Sequence, residues 1–197
     1  MTPRAAAYLG GALLVLGTLS LGLDRLGGGG GTPPGPVRGS LRSWAQVGTA
    51  IRQGQRHAAV DRHTKTITYR GGRALLVALA SPHGQPTMTW EMDGLVNPTI
   101  VLPPGIRVTV DLVNTDWGYM HGFEVTATPP PYPYMPMMQV TDQVLLMPLP
   151  ERTTKNLTTA QYYTSTGQFT LAPGTYYYLC PVPGHATQGM YGKIVVR

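Results

Sequence analysis

Short runs of β-branched, aromatic and other apolar residues, separated by Gly, Pro and Asn, fill the chain from residue 66 to the C terminus. Runs of this length between turn residues predict β-strands, and no helical pattern alternates with them. An all-β domain, either a sandwich or a barrel, is therefore expected. The predicted strands cover residues 66–69, 74–80, 88–92, 99–102, 107–114, 122–128, 144–147, 168–171, 175–180 and 192–196.

A helical pattern precedes these strands. Leu41, Trp44, Val47 and Ile51 are spaced three and four residues apart. Because this spacing places apolar side chains on one face of a helix, one short amphipathic helix is predicted at the edge of the domain.

The N-terminal segment has the composition of a membrane-targeting sequence followed by a linker. Residues 5–23 carry no charge and follow Arg4, and an apolar run of this length nearly spans a hydrocarbon core of about 30 Å. The run is long for a signal peptide and no Ala-x-Ala site follows it, which favours an uncleaved anchor. Positive charge before the run places the rest of the chain in the periplasm, either tethered to the inner membrane or released after cleavage. We predict a signal-anchor or signal peptide at 1–26, a Gly/Pro-rich linker at 27–39 and a folded domain at 40–197.

Charge narrows the range of partners. Charged residues make up 12% of the chain, and 15 Lys and Arg outnumber 9 Asp and Glu, which gives a formal net charge of +6. The cations, among them Arg56, Arg73, Arg107 and Arg152, are scattered singly along the chain. Nucleic-acid binding normally requires a basic cluster on one face or along one helix. We therefore interpret the charge as a solvated surface and expect no nucleic-acid partner.

The only cysteine, Cys180, stands in a proline-bounded loop with His185 and Met190, and four residues separate each from the next. A lone cysteine forms no intramolecular disulfide, so it is a buried thiol, a nucleophile or a ligand. Two imidazoles, a thiolate and a weak axial thioether suit both Cu(I) and Cu(II), whereas zinc prefers a firmer fourth ligand. His121, at the start of a predicted strand, is the plausible second imidazole. The set favours one mononuclear copper site.

Three alternatives remain open at this stage. A nucleophilic Cys180 would need an orienting group such as Asn114, and Met190 would then have no role. A copper store or chaperone would use the thioethers of Met120, Met135, Met137 and Met138, although packing under a proline-rich loop is the favoured interpretation of these residues. A multicopper enzyme would need more histidine ligands, and His57, His63 and His83 lack ligand spacing. We therefore expect a protein that is not an enzyme.

Several segments carry a family resemblance. The segment GTYYYLCPVPGHATQGMYGKIVV (residues 174–196) closely resembles the copper loop of the rusticyanin-like blue (type 1) copper proteins, which are cupredoxins. Further similarity lies in NPTIVLPPG (97–105), VTVDLVNTDWGYMHGFEVT (108–126) and PPPYPYMPMM (129–138).

The resemblance implies a Greek-key β-sandwich with one copper held by His121, Cys180, His185 and Met190. It also implies a high reduction potential, acid tolerance, as in acidophiles, and a monomeric periplasmic carrier of single electrons in a respiratory or iron-oxidation chain. A c-type cytochrome or a terminal oxidase would be the redox partner. The chain departs from the family at Gly122, where rusticyanin has a serine, so loss of a hydrogen bond that tunes the potential is expected. The hydrophobic anchor is a second departure.

Overall fold

The computed structural model describes residues 39–138 and 142–197. The predicted membrane segment at 1–26, and the predicted linker apart from Gly39, lie outside the described residues. Within the described part of the chain, no helix combines the length and apolar character needed to cross a membrane.

The described residues form thirteen β-strands, one α-helix and two short 3₁₀ turns. The elements are β1 (Ser40–Ser43), α1 (Trp44–Gln55), β2 (Ala58–Asp61), β3 (Thr66–Tyr69), β4 (Arg73–Ala80), β5 (Trp90–Met92), β6 (Leu95–Val96), β7 (Thr99–Leu102), β8 (Arg107–Asn114), β9 (His121–Thr126), β10 (Asp142–Leu149), β11 (Gln161–Phe169), β12 (Gly174–Leu179) and β13 (Tyr191–Val196), with 3₁₀ turns at Pro136–Met138 and Ala186–Gln188.

The strands make two mixed sheets. One has the order β1-β11-β8-β4-β5-β6, and the other has the order β10-β9-β12-β13-β7-β3-β2. In the first sheet, β4 and β8 run parallel and in register, from Arg73 beside Arg107 to Ala80 beside Asn114. We call the end of the sandwich where these two strands begin, at Arg73 and Arg107, the base. We call the end where they finish, at Ala80 and Asn114, the top.

A single large core lies between the sheets, which confirms the predicted β-sandwich. Leu76 and Val110 from the first sheet share this core with Phe123 and Ile194 from the second, and all four are buried. Alternation of inward and outward side chains along each strand produces this arrangement. β4 departs from alternation because its outward residues, such as Val77, are covered by α1. Burial on both faces explains the continuous apolar run of that strand.

The helix begins later than its apolar pattern suggested. Ser43 caps it: its side chain accepts from the backbone N–H of Gln46, whose side chain accepts from the backbone N–H of Ser43. This reciprocal capping box fixes Trp44 as the first helical residue. Leu41 was wrongly assigned to the helix, because it belongs to β1 and pairs with Tyr163 of β11. Val47 is the fully buried anchor of the helix.

Strand prediction was most accurate where turn residues flank an apolar run, and least accurate in polar strands. The strands Thr66–Tyr69, Thr99–Leu102 and Arg107–Asn114 have the predicted bounds. β11 covers Gln161–Phe169 rather than 168–171, because its sequence QYYTSTGQF hides its apolar positions among polar ones. β1, with the sequence SLRS, was missed for the same reason, whereas β2 (AAVD) and β6 (LV) were too short to show a strand pattern.

One tyrosine connects the second sheet to the chain before β7. Tyr178 is fully buried, stacks on Phe123 with ring centroids 5.8 Å apart, and donates a hydrogen bond from its hydroxyl to the carbonyl of Pro98 at 2.6 Å. Its ring occupies the space beside Gly192 on β13, so that a Cβ there would overlap the phenol.

We expect Gly192→Ala to lower the free energy of unfolding by about 2–4 kcal/mol, because the new methyl group displaces Tyr178 and breaks its buried hydrogen bond. Urea unfolding followed by circular dichroism measures the change. Gly72→Ala is the matched control, since no atom lies within 4 Å of a Cβ at that position. Equal stability of the two variants would contradict the packing described here.

Candidate metal centre

Three donor atoms converge at the top of the sandwich. Cys180 Sγ lies 3.4 Å from His185 Nδ1 and 3.7 Å from His121 Nδ1, and the two imidazole nitrogens are 3.2 Å apart. Cys180 and His121 are fully buried, and His185 is 5% exposed. An ion with bonds of about 2.0–2.3 Å at angles of about 110–120° holds its donors roughly 3.3–3.8 Å apart. The three donor distances lie within or just below this range, so the three groups could hold one metal ion of copper size.

The loop between β12 and β13 folds back on itself to present two of these donors. Cys180 N–H donates to the carbonyl of Met190, and Met190 N–H donates to the carbonyl of His185, both at 3.1 Å. The 3₁₀ turn Ala186–Gln188 ends at Gly189, whose φ of 101° requires a residue that tolerates the left-handed region. Met190 is fully buried in the same core cluster as Cys180. The predicted fourth residue thus lies on the same closed loop as Cys180 and His185.

Two residues, Trp90 of β5 in the opposite sheet and Asn97 in the connection between β6 and β7, fasten the far end of that loop. The indole N–H of Trp90 donates to the carbonyl of Met190 at 3.3 Å, and the side-chain amide of Asn97 donates to the carbonyl of Gly189 at 3.0 Å. Asn97 also accepts from the backbone N–H of Trp90 at 2.9 Å. These residues had not been identified from the sequence, because about a hundred residues separate them from their partners.

The segment before His121 is held by Asn114. Its side-chain amide donates to the carbonyls of Tyr119, Leu149 and Pro150 at 2.9–3.0 Å, and its side-chain oxygen accepts from the backbone N–H of Asp116. The amide of Asn114 is thus fully occupied by backbone partners. The alternative in which Asn114 orients a histidine for a nucleophilic Cys180 is not supported.

Arg152 supports the same segment from below. It is 6% exposed, and its guanidinium donates to the carbonyl of Thr115 at 2.6 Å and to that of Thr154 at 3.1 Å. The interpretation of Arg152 as a solvated surface charge was wrong. Its charge is instead placed close to backbone carbonyls that would otherwise lack donors.

A carboxylate orients the first imidazole. Asp116 Oδ2 lies 2.8 Å from His121 Nε2, which leaves Nδ1 of the same ring to face Cys180. Burial raises the pKa of Asp116, but the hydrogen bond and charge of His121 and the backbone N–H of Trp117 outweigh it and hold that pKa below its usual value. A carboxylate behind a metal-binding imidazole fixes its tautomer and increases its basicity. The sequence analysis missed Asp116.

The thiol of Cys180 is buried too deeply to ionise alone. Burial raises its pKa to about 12, although backbone N–H groups of Val182 and Gly122 donate to the sulfur and oppose the rise. A nucleophilic cysteine needs the opposite shift. Cys180 would therefore ionise only beside a bound cation, whose positive charge would stabilise the thiolate.

The second imidazole is kept in its metal-binding form. Burial, and then the neighbouring ring of His121, lower the pKa of His185 from 6.5 to about 4. The ring consequently stays neutral, with a free nitrogen lone pair, in all but strongly acidic solution.

Close packing of the backbone explains why residue 122 is a glycine. A Cβ at this position would lie 2.7 Å from the carbonyl oxygen of Leu146 and 2.9 Å from Cγ of Pro181. The backbone here approaches its neighbours so closely that no side chain fits without a shift. The backbone N–H of Gly122 donates to Cys180, whereas the loss of a serine hydroxyl at this position stays a prediction.

Apolar side chains surround the top without covering it. Trp117, Tyr119, Met120, Tyr134 and Met135, here called the apolar rim, are all exposed, and the exposed fraction reaches 68% for Tyr134. The ring of Tyr119 meets the ring of His185 edge-on, with centroids 6.0 Å apart. The carbonyl of Tyr134 accepts from the backbone N–H of Gly184 at 2.7 Å. The favoured interpretation of the methionines as packing was wrong for Met120 and Met135.

The remaining histidines are not part of the metal centre. His57, His63 and His83 are exposed. Among residues 39–138 and 142–197, His121, Cys180 and His185 are the one group of three or more His, Cys, Asp or Glu side chains close enough to hold a metal ion.

Known proteins are similar to this chain in sequence and in fold. Residues 72–197 match the family described as the sulfocyanin (SoxE) domain. Rusticyanin from Acidithiobacillus ferrooxidans is 38% identical over 135 residues, which is 67% of each chain, and rusticyanin from Acidithiobacillus ferridurans is 37% identical over the same length and share of each chain. A solved structure of reduced rusticyanin superposes with a TM-score of 0.72 at 31% identity, covering 80% of this chain and 99% of that one. These matches confirm the resemblance to rusticyanin-like cupredoxins and the predicted fold class.

We expect Asp116→Asn to raise the reduction potential of the copper-loaded protein by on the order of 50–100 mV. The lost negative charge and the lost basicity of His121 both disfavour the oxidised ion. Spectroelectrochemical titration of the full chain measures the potential.

Glu151→Gln is the matched control, because Glu151 accepts from the backbone N–H of Gly118 in the same region and not from His121, Cys180 or His185. It removes the same charge and is expected to shift the potential by less than half as much. Equal shifts would show that general charge, rather than the contact with His121, sets the effect.

Proposed function

Because the chain belongs to the sulfocyanin (SoxE) domain family, we propose that it is a blue copper protein that carries single electrons and catalyses no reaction. The observation that supports this most strongly is the convergence of His121 Nδ1, Cys180 Sγ and His185 Nδ1 in a buried pocket. Such a donor set suits Cu(I) and Cu(II) alike. One of the solved rusticyanin structures to which the chain is similar is described as a copper protein.

Four residues would hold the single copper in this proposal. His121, Cys180 and His185 would supply the three strong donors, and Met190 would supply a weak thioether. When bound, the copper supplies a one-electron Cu(I)/Cu(II) couple. Asp116 keeps the ring of His121 in position, and the backbone N–H groups of Gly122 and Val182 share the charge of the thiolate.

Rigidity is the contribution of the protein to electron transfer. The donors sit in place through backbone hydrogen bonds of the 180–190 loop, and Trp90, Asn97 and Asn114 hold the surrounding segments. A site that keeps one geometry in both oxidation states transfers electrons with little rearrangement. The dry surroundings favour the less charged Cu(I) form, and so a raised potential.

Electrons enter and leave at the top. His185 is the only one of the three strong donors with any exposure, and Tyr119 contacts its ring from the solvent side. The apolar rim around them suits a transient redox partner, because such encounters use small apolar patches without strong ion pairs. A c-type cytochrome or a terminal oxidase in a respiratory or iron-oxidation chain is the proposed partner class.

The location of the carrier follows from the N-terminal sequence. The uncharged run at residues 5–23 would keep the domain on the periplasmic face of the inner membrane, and the linker would let the domain move as a tethered monomer. With 9 Asp and Glu in the whole chain, few carboxylates become protonated in acid, which suits an acidic periplasm.

A copper store or chaperone is the second candidate function. The exposure of Met120 and Met135 at the top supports it, because accessible thioethers hold Cu(I). The two functions differ in stoichiometry, since a carrier binds one copper per chain and a store binds more.

We expect the detergent-solubilised full chain to bind one Cu(II) and to develop an intense thiolate-to-copper absorption band in the visible spectrum. Cys180→Ser should abolish the band because the thiolate is its source, whereas Met190→Leu should keep the band and raise the potential. Absorption and paramagnetic resonance spectra, with metal analysis, test this. A weak signal unchanged by Cys180→Ser would reject the carrier, and more than one tightly bound copper would favour the store.

We expect Met120→Lys to slow electron self-exchange at least about tenfold, because two copies of the new charge would meet where the apolar rims must touch. Line broadening of nuclear magnetic resonance signals in mixtures of oxidised and reduced protein measures this rate. Leu41→Lys is the control, since Leu41 is similarly exposed but lies on β1. Equal slowing by both variants would place electron entry elsewhere.

A further inference from the structure

A cationic groove lies at the base of the sandwich. It has a volume of about 580 Å³, and its walls come from the end of α1 and from the outer face of the first sheet. Arg56 and His57 line it from the helix side, and Arg73, Arg107 and Gln168 line it from the strands. No acidic residue is among those that line it. We call it the arginine groove.

Strand register creates this concentration of charge. Arg73 and Arg107 are the first residues of β4 and β8 and are direct partners in the parallel ladder, so both guanidinium groups leave the same face of the sheet. Like charges in such a position destabilise a sheet unless something compensates them. The prediction that the cations are scattered singly was therefore wrong for these two residues, although both are exposed, as predicted for a solvated charge.

The described residues offer no such compensation. The two salt bridges within residues 39–138 and 142–197 join Arg42 to Asp111 and His121 to Asp116, and neither touches the groove. Asp93 interacts with Gln55 near the end of the helix but does not line the groove. The carboxyl-terminal end of α1 accounts for a cation at Arg56. Strands carry little dipole, so Arg73 and Arg107 have no equivalent explanation.

The groove and the metal centre lie at opposite ends of the domain. The groove includes the first residues of β4 and β8, whereas the segment that carries His121 follows the last residue of β8. A strand of this length spans about 25 Å. A surface that engages the groove therefore leaves the apolar rim free.

The described chain begins nearer the top than the base. Ser40 lies beside Thr164 of β11, and Thr164 pairs with Val113 near the end of β8. The 12 residues between the proposed anchor at 1–26 and Gly39 would span at most about 40 Å if fully extended, which exceeds the length of β8 of about 25 Å. The length of the chain therefore allows the base to meet the membrane.

We propose that the arginine groove binds the phosphate groups of anionic phospholipids, so that the base of the domain rests on the membrane and the metal centre faces away from it. The inference rests on the membrane anchor of the proposed function. Planar guanidinium groups pair with phosphate oxygens through two parallel hydrogen bonds, and three of them around one groove match a headgroup or two adjacent headgroups. Lipid phosphate would also relieve the repulsion between Arg73 and Arg107.

The test uses the full chain in lipid nanodiscs of phosphatidylcholine alone or with phosphatidylglycerol. Phenylglyoxal modifies accessible arginines, and mass spectrometry gives the rate for each one. We expect Arg73 and Arg107 to react at least about fivefold more slowly in the anionic discs, and high salt to remove the difference. Arg62, exposed in the turn between β2 and β3 at the top, is the internal control and should react equally in both.

Matched variants separate the groove from general charge. In the double variant Arg73→Gln, Arg107→Gln, Arg56 should lose its protection in anionic discs, whereas in Arg62→Gln it should keep it. The wild-type rates decide the proposal even if the double variant does not fold. Equal rates in both discs would overturn the proposal, as would equal protection by inorganic phosphate in neutral discs or protection that appears only with an acidic protein.

The same experiment distinguishes the absence of a membrane anchor from the absence of lipid binding by the groove. A chain without a membrane anchor would elute apart from both kinds of disc. The protection of Arg73 and Arg107 would then be measured with added phosphatidylglycerol vesicles, and its absence would overturn the groove as well. The copper-binding function is unaffected by either outcome.

Discussion

The backbone hydrogen bond from Cys180 to Met190 is the interaction on which the metal centre depends. It extends the ladder of β12 and β13 by one step beyond Leu179 and Tyr191, and so closes residues 180–190 into a loop. Because the loop is closed by backbone groups, its side chains are free to serve as donors. The fold thus brings the three donor atoms together. The cost is a thiol whose pKa rises to about 12 and an imidazole whose pKa falls to about 4.

Local spacing made this loop predictable. Cys180, His185 and Met190 lie within eleven residues, and the prolines that bound the loop are visible in the sequence. His121 was predictable for a different reason, since it starts a strand and the other histidines do not. Asn114, Trp90 and Asn97 were not predictable in the same way, because their side chains bond to backbone groups, most of them distant in sequence, which leave no residue-type signature. Asp116 contacts the side chain of His121, and the one sequence signal for it is a carboxylate five residues before a candidate ligand.

The same distinction holds for the fold. Strands that lie between Gly, Pro and Asn turns were located from the sequence because the side chains on at least one face of each strand are apolar. β11 was largely missed because its buried Tyr162, Thr164 and Phe169 alternate with Ser, Thr and Gln. The groove cations illustrate the limit most clearly. Arg73 and Arg107 look isolated along the chain, yet a parallel pairing of two strands makes them neighbours.

Function in this molecule follows from the separation of two ends that the long parallel strands impose. The top combines neutral, buried donors with exposed aromatic and thioether side chains, a composition that permits brief contacts with a redox partner. The base gathers guanidinium groups, where their charge is remote from the copper and shifts its potential little, because solvent and salt screen charges at such separations. Placing these cations beside His121 or His185 would oppose the positive charge of the oxidised site. The distance between the ends thus allows one small domain to be basic overall and still present an uncharged surface for electron exchange.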